Sequence, residues 1–373
     1  MNAQIMARDL LEKLGMQTSM DSVGNLVGVR EGTDSQLAPV AVGSHLDTVP
    51  EGGNFDGVLG VASAIEVMRA FDDDRVNTKR SLQVICFACE EGSRFGVGCI
   101  GSKFMVGELS PDDAEKIRDL NGLTLPQCIT KIGLPGRPVT VRGKGDFSAY
   151  VELHIEQGPV LETLGKTIGI VTGIAAPTRL LVQVKGMTGH VGTVPMKTRK
   201  DALVAAADII TGVESIVRRT DDNGVGTVSR TDMKPNTVTA IPGSVNLWID
   251  LRYLNENGRT ACIAEIKRLV ADVVSKRQLE IDLTVLTNER ATSLSPRVIE
   301  TITQATNALG YASIEMASGA MHDAAHMARI TDVGMIFVPC KDGVSHAPEE
   351  SADPRRFEDG VNVLYKTLMA LAA

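Results

Sequence analysis

The 373-residue sequence offers little that would direct it to a membrane or to nucleic acid. No stretch approaches the roughly 20 apolar residues that a membrane helix needs. Basic residues are dispersed and outnumbered, 38 against 46 acidic, so nucleic acid and acidic membrane surfaces are poor partners. Low-complexity runs are missing, and 43% hydrophobic with 23% charged residues is a globular composition. The opening MNAQIMARDLLEKLG reads as an amphipathic helix with acidic residues, unlike a secretory leader, and a cytoplasmic location is expected. At this length two domains of ordinary size are expected.

Cysteine is sparse too. Positions 86, 89, 99, 128, 262 and 340 show no disulfide-framework spacing. Cys86 and Cys89 form a C-x-x-C, but they close a run from Leu82 that reads as a buried strand. Residues i and i+3 of a strand face opposite sides, so buried free thiols are expected in place of a redox or zinc pair.

Only six histidines are present, and four of them sit in the short polar motifs that follow. The motifs are Gly43-Ser44-His45-Leu46-Asp47-Thr48, Gly53-Asn54-Phe55-Asp56-Gly57 and Glu90-Glu91-Gly92-Ser93-Arg94-Phe95. Then come His154-Ile155-Glu156-Gln157-Gly158, Thr188-Gly189-His190 and Gly343-Val344-Ser345-His346-Ala347-Pro348-Glu349-Glu350. Imidazoles and carboxylates in this mixture suit a two-ion site for zinc or manganese. Plainer readings exist for each motif alone. Asp47 and Asp56 lie in glycine-rich turns where acids are ordinary, and His190 could be a turn histidine. A carboxylate pair closing a very apolar strand is harder to read as a solvated surface.

Apolar runs that end in these motifs recur through the N-terminal half, and Val333 to Val338 precedes the loop of His346. Continuous apolar strands imply an α/β sheet covered on both faces, with ligands beyond the carboxyl ends of its strands. Leu59 to Phe71 and Pro296 to Gly310 read as intervening helices. From 178 to 292 the pattern changes to β-α-β-β-α-β, the order of a ferredoxin-like sandwich. This stretch would be an insertion between catalytic parts 1–177 and 293–373.

On these motifs the chain resembles the M20 metallopeptidase clan, in its amidase/hydantoinase/carbamoylase branch, from about Ser44 to Glu350. The resemblance implies a zinc-exopeptidase-like mixed sheet flanked by helices, with the insertion as a lid and dimerisation domain. It implies that His45, Asp56 and His154 hold one metal and that Asp56, Glu91 and His346 hold the other. Asp47 would orient His45 from behind. Two divalent ions are implied, Zn2+ or Mn2+, with Co2+ or Ni2+ possible in vitro. Glu90 would be the general base. His190 would reach the partner subunit's site and stabilise the oxyanion, and Arg252 would grip the substrate carboxylate. Gln157 and Arg179 align with substrate-contacting positions, and His322 with a loop beside the metals. His326 is expected to be structural.

His154 favours the carbamoylase branch, since the peptidase branches more often carry Asp or Glu there. Some positions depart from the family pattern: Thr239 replaces a substrate-binding Asn, Cys89 a third Glu, Met321 a Gly and Ala347 an Asn. The expected activity is therefore hydrolysis of a linear C–N bond in a small N-substituted amino acid, foremost an N-carbamoyl-L-amino acid, by a homodimer. Allantoate amidohydrolase is the alternative, followed by an N-acyl amino acid amidase or dipeptidase. A metal-binding scaffold without catalysis is opposed by the complete ligand set and by Glu90.

Overall fold

A computed structural model describes residues 2–136, 141–221 and 224–373. The chain divides into two units, Met1–Thr172 with Leu294–Ala373, and Gly173–Ser293. The second unit begins ahead of residue 178 because its first long strand, Ala176–Lys185, starts before Arg179.

The first unit is built on a mixed sheet. Its centre is four parallel strands in the order Leu82–Phe87, Val40–His45, Ala149–Ile155 and Asp332–Val338. Leu26–Arg30 and Ile168–Ile174 flank them antiparallel. Every residue of Val40–His45 and of Ala149–Ile155 is buried, as expected for strands covered on both faces. The helix Val58–Asp73 buries Val61, Ala64, Val67, Met68 and Phe71, one stripe at helical spacing. It packs with Pro354–Leu371, which starts with an Asp353 cap and a proline in its first turn. Each such fully buried aliphatic side chain contributes about 1.5–3 kcal/mol. This core fixes the strand ends, and the strand ends carry the site.

The second unit has the expected β-α-β-β-α-β order. Four antiparallel strands lie as Glu280–Asn288, Ala176–Lys185, Ser244–Tyr253 and Val225–Lys234. Strict alternation of burial along Ser244–Tyr253 presents Val245, Leu247, Ile249, Leu251 and Tyr253 to the helices Ala202–Thr220 and Glu256–Arg277. Two short strands, Gly189–His190 and Ala240–Ile241, pair with each other beside this sheet.

One detail differs from the sequence reading. The strand that carries Cys86 ends at Phe87, so Cys89 lies beyond it, in a left-handed conformation with φ 54°. The thiols are still separate: all six cysteines are free, and burial pushes Cys86 and Cys89 up to about 12. No helix among the described residues is long and apolar enough to cross a membrane.

Candidate metal centre

The carboxyl ends of the parallel strands deliver the candidate ligands. His45 is the last residue of its strand, His154 the penultimate residue of its own, and Glu90–Glu91 follow Leu82–Phe87. Asp56 arrives from the turn before the helix Val58–Asp73. That turn needs Gly57: φ is 66°, and a Cβ there would stand 2.3 Å from the His45 ring.

Two groups of donors result. In the inner group Asp56 Oδ1 lies 3.4 Å from His45 Nε2 and 3.2 Å from His154 Nε2, and all three residues are buried. In the outer group His346 Nε2 lies 3.0 Å from Asp56 Oδ2 and 3.3 Å from Glu91 Oε1. Asp56 therefore faces both groups with one oxygen each. The donors fit divalent cations. They are imidazole nitrogens and carboxylate oxygens that converge within 4.8 Å, and Glu91 Oε1 is buried without a hydrogen-bond donor. A third combination, Glu152 with His154 and His322, fits an ion less well. Both Glu152 oxygens are already occupied, by Ser44 Oγ at 2.8 Å, Tyr150 Oη at 3.1 Å and Ala324 N–H at 3.1 Å.

The electrostatics follow from the same geometry. Burial alone would lower His45, yet the Asp56 and Glu90 carboxylates raise it well above the ordinary histidine value. Burial would raise Asp56, but His154, His346 and His45 hold it far below the carboxylate range. Asp56 and Glu91 push the half-exposed His346 up to about 10. Glu90, 8% exposed, is pushed up to about 7 by burial, against the lowering pull of His45 and Cys99. A carboxylate with a pKa near neutrality suits proton transfer.

Asp47 acts differently from the sequence reading. The nearer partner of His45 Nδ1 is the Asp47 backbone carbonyl at 2.9 Å, with the carboxylate oxygen at 3.9 Å. The carboxylate instead accepts the backbone N–H groups of Glu90 at 3.1 Å and Glu91 at 3.0 Å. It thereby fixes the turn that splits the two glutamates. Gln157, at φ 58°, donates to Asp56 Oδ2 at 2.7 Å and keeps a buried Oε1 without a partner. His322 does not open onto a surface. It is buried with Nε2 2.9 Å from Ser318 Oγ and its ring stacked edge-on to His154 at 4.6 Å. His326 pairs with Glu108 at 2.6 Å.

Several buried groups escaped the sequence reading. The Cys99 thiol donates to Glu90 Oε1 at 3.1 Å, and its backbone N–H to the Glu90 carbonyl at 2.7 Å. Asp323 accepts from Ser102 Oγ at 2.5 Å, and burial, with Glu90 and Glu152 nearby, pushes its carboxyl well up. Glu350 is buried against the Asp56 turn. One signal was available. A Glu within the apolar run Tyr150-Val151-Glu152-Leu153 must find partners inside, and it does.

The remaining candidates lie in the second unit, in two places. Val191 N–H donates to the Thr239 carbonyl at 3.2 Å and His190 pairs with Ala240, so His190 and Thr239 share one exposed loop pair. Arg179 and Arg252 converge on Asp250, at 3.0 Å and 2.6 Å.

Residues 41–370 match the model of peptidase family M20/M25/M40. The chain is 38% identical, over 98% of its length, to the N-carbamoyl-L-amino-acid amidohydrolase of Pseudomonas sp. (strain NS671), covering 90% of that protein. It is 33% identical over its whole length to the allantoate amidohydrolase of Bacillus subtilis (strain 168), covering 90% of it. A hydantoinase/carbamoylase family amidase from Burkholderia multivorans has the same architecture. The TM-score is 0.94 at 32% identity, over 98% of this chain and 89% of that one.

Proposed function

The chain belongs to peptidase family M20/M25/M40, as a hydrolase of amide C–N bonds, and we propose that it converts N-carbamoyl-L-amino acids to the amino acid, ammonia and carbon dioxide. The observation that carries this reading is His154. Its imidazole stands 3.2 Å from Asp56, at a position where the peptidase branches more often place a carboxylate.

In this reading the inner group holds one divalent ion and the outer group the second, zinc or manganese, with cobalt or nickel as substitutes in vitro. When bound, such ions acidify a water and polarise the ureido carbonyl. Glu90 takes the proton of the attacking water and passes it to the leaving nitrogen, a role that its pKa near 7 supports. The Cys99 thiol occupies Glu90 Oε1 and leaves Oε2 for that task. His190 donates to the developing oxyanion. Arg252 presents its planar fork to the substrate carboxylate, held in place by Asp250. Arg179, Gln157 and Thr239 contact the remainder of the substrate, and His322 holds His154 from behind.

A homodimer paired through the second unit completes the reading, with His190 and Arg252 acting on the partner's site. Support comes from the exposed Leu203, Val204 and Ile210 on one helix and from the edge strand Val225–Lys234, which has one neighbour among the described residues. A cytoplasmic location accords with six free cysteines. The second reading, allantoate hydrolysis, is favoured by the Bacillus subtilis relative.

The test is ammonia release by manganese-loaded protein from N-carbamoyl-L-amino acids, allantoate, β-ureidopropionate and N-acetyl or dipeptide controls, beside Glu90→Ala. Expected is turnover of a carbamoyl amino acid that falls about 10²- to 10⁴-fold in the variant while both ions stay bound. Turnover of allantoate alone would replace the substrate. Substantial activity in Glu90→Ala would remove the base.

A further inference from the structure

Glu350 joins two loops that bring ligands from opposite ends of the chain. One of its oxygens accepts the backbone N–H groups of Phe55 at 2.8 Å and Asp56 at 3.1 Å. The other accepts the Ser345 hydroxyl at 2.8 Å, and that same hydroxyl lies 3.1 Å from Asp56 Oδ2. Its own N–H closes the turn by donating to the Ala347 carbonyl at 3.0 Å. The side chain is 4% exposed and so closely fitted that a Cβ on Gly53 would meet it at 2.3 Å. None of these contacts reaches the inner imidazoles. The backbone arm holds the turn of Asp56, which both groups share, while the Ser345 arm bears on Asp56 Oδ2 and on the segment of His346, in the outer group alone.

The outer group needs such a tie. His45 and His154 are fixed by strands and by a packed interior, whereas the His346 side chain is 49% exposed. His346 also holds a left-handed φ of 56°, which is unfavourable for a non-glycine residue unless its surroundings impose it. Ser345 and Glu350 are those surroundings.

We propose that Glu350, acting through Ser345, is the positioning residue of the outer metal position, setting how tightly that ion is held while the buried imidazoles set the inner one. Groups that orient metal ligands from behind typically change metal affinity about 10- to 100-fold. The inference rests on the two-ion reading of the site and not on the substrate, so a failed substrate panel leaves it standing.

The experiment is calorimetric titration of chelator-stripped protein with Mn2+, plus metal content after dialysis, for the wild type, Glu350→Gln, Ser345→Ala and His346→Ala. The glutamine still accepts the two backbone N–H groups but presents an amide N–H2 to Ser345. The wild type should bind two ions per chain, and His346→Ala should identify the outer step by losing it. Glu350→Gln should weaken that step about 10- to 100-fold and leave the inner step within about threefold. Ser345→Ala should weaken the outer step by a smaller factor. An unchanged outer step in Glu350→Gln, or equal weakening of both steps, overturns the proposal. If Glu350→Gln does not fold by circular dichroism, Ser345→Ala decides, and wild-type affinity there overturns it. A wild type that binds one ion removes the two-ion reading itself, and with it the proposal.

Discussion

The inner group, His45–Asp56–His154, and the outer group, Asp56–Glu91–His346, share one aspartate and are built by different physics. The inner imidazoles belong to fully buried strands, so the force that forms the core also places the ligands. The outer group joins a post-strand turn to a distant loop, and half of the His346 side chain meets solvent. Hydrogen bonds from the buried Glu350 and from Ser345 tie this second group together. One candidate site can thus combine a donor group held by packing with one held by a latch.

Cutting each group at its own histidine should break the symmetry most strongly. His154→Ala deletes a buried ring packed against His322 and Phe337, and should destabilise the metal-free protein by about 2–4 kcal/mol. His346→Ala removes a half-exposed ring that pairs with Asp56 and Glu91, and should cost less than His154→Ala, because solvent screens the pairs it breaks. Urea unfolding of both variants measures this, and equal losses would dissolve the distinction.

Protons sharpen it next. Without an ion, Asp56 and Glu91 raise the His346 ring to about 10, so it is protonated at pH 7 and a cation must displace that proton. Outer-position affinity should therefore rise as pH rises from 7 toward 10. Titration at pH 7 in buffers of different ionisation enthalpy should show the wild type releasing about one proton more than His346→Ala. Identical release by the two would place the proton elsewhere.

The smallest expected effect lies outside both groups and sets the baseline. Glu108 accepts from His326 at 2.6 Å and Arg329 at 2.9 Å, and the His326 bond holds its carboxyl below the usual range against burial. A lowered carboxyl stabilises above its unfolded value and loses that contribution as pH falls through the folded one. Glu108→Gln should cost about 1 kcal/mol at pH 7 without altering either ion, and the deficit should shrink below the ordinary carboxylate range. A deficit that persists in acid would refute the linkage.

Much of the centre could be read from residue order. The polar motifs after apolar runs carried a family resemblance that implied His45, Asp56, Glu91, His154 and His346, and the fold gathers these residues into the two groups. Local pattern also located the second unit, since alternation in Ser244–Tyr253 and helical spacing in Ala202–Thr220 are properties of neighbouring residues. What escaped were long-range partners with no periodic signal. Cys99 looked like one more scattered thiol until the turn brought it to Glu90 Oε1. Asp47 was expected to use its carboxylate on His45, but a backbone carbonyl took that place and freed the carboxylate for Glu90 and Glu91.

The sequence by itself determined which chemistry is available. Imidazoles and carboxylates at the ends of apolar strands must lie together beyond a sheet, because strand direction and burial leave them no other place. Only the tertiary structure decided how the donors are shared and how firmly each is held. One oxygen of Asp56 faces each group, and Glu350 closes a gap of 294 residues to reach its backbone. Such contacts depend on where distant loops meet, and spacing along the chain carries no record of that.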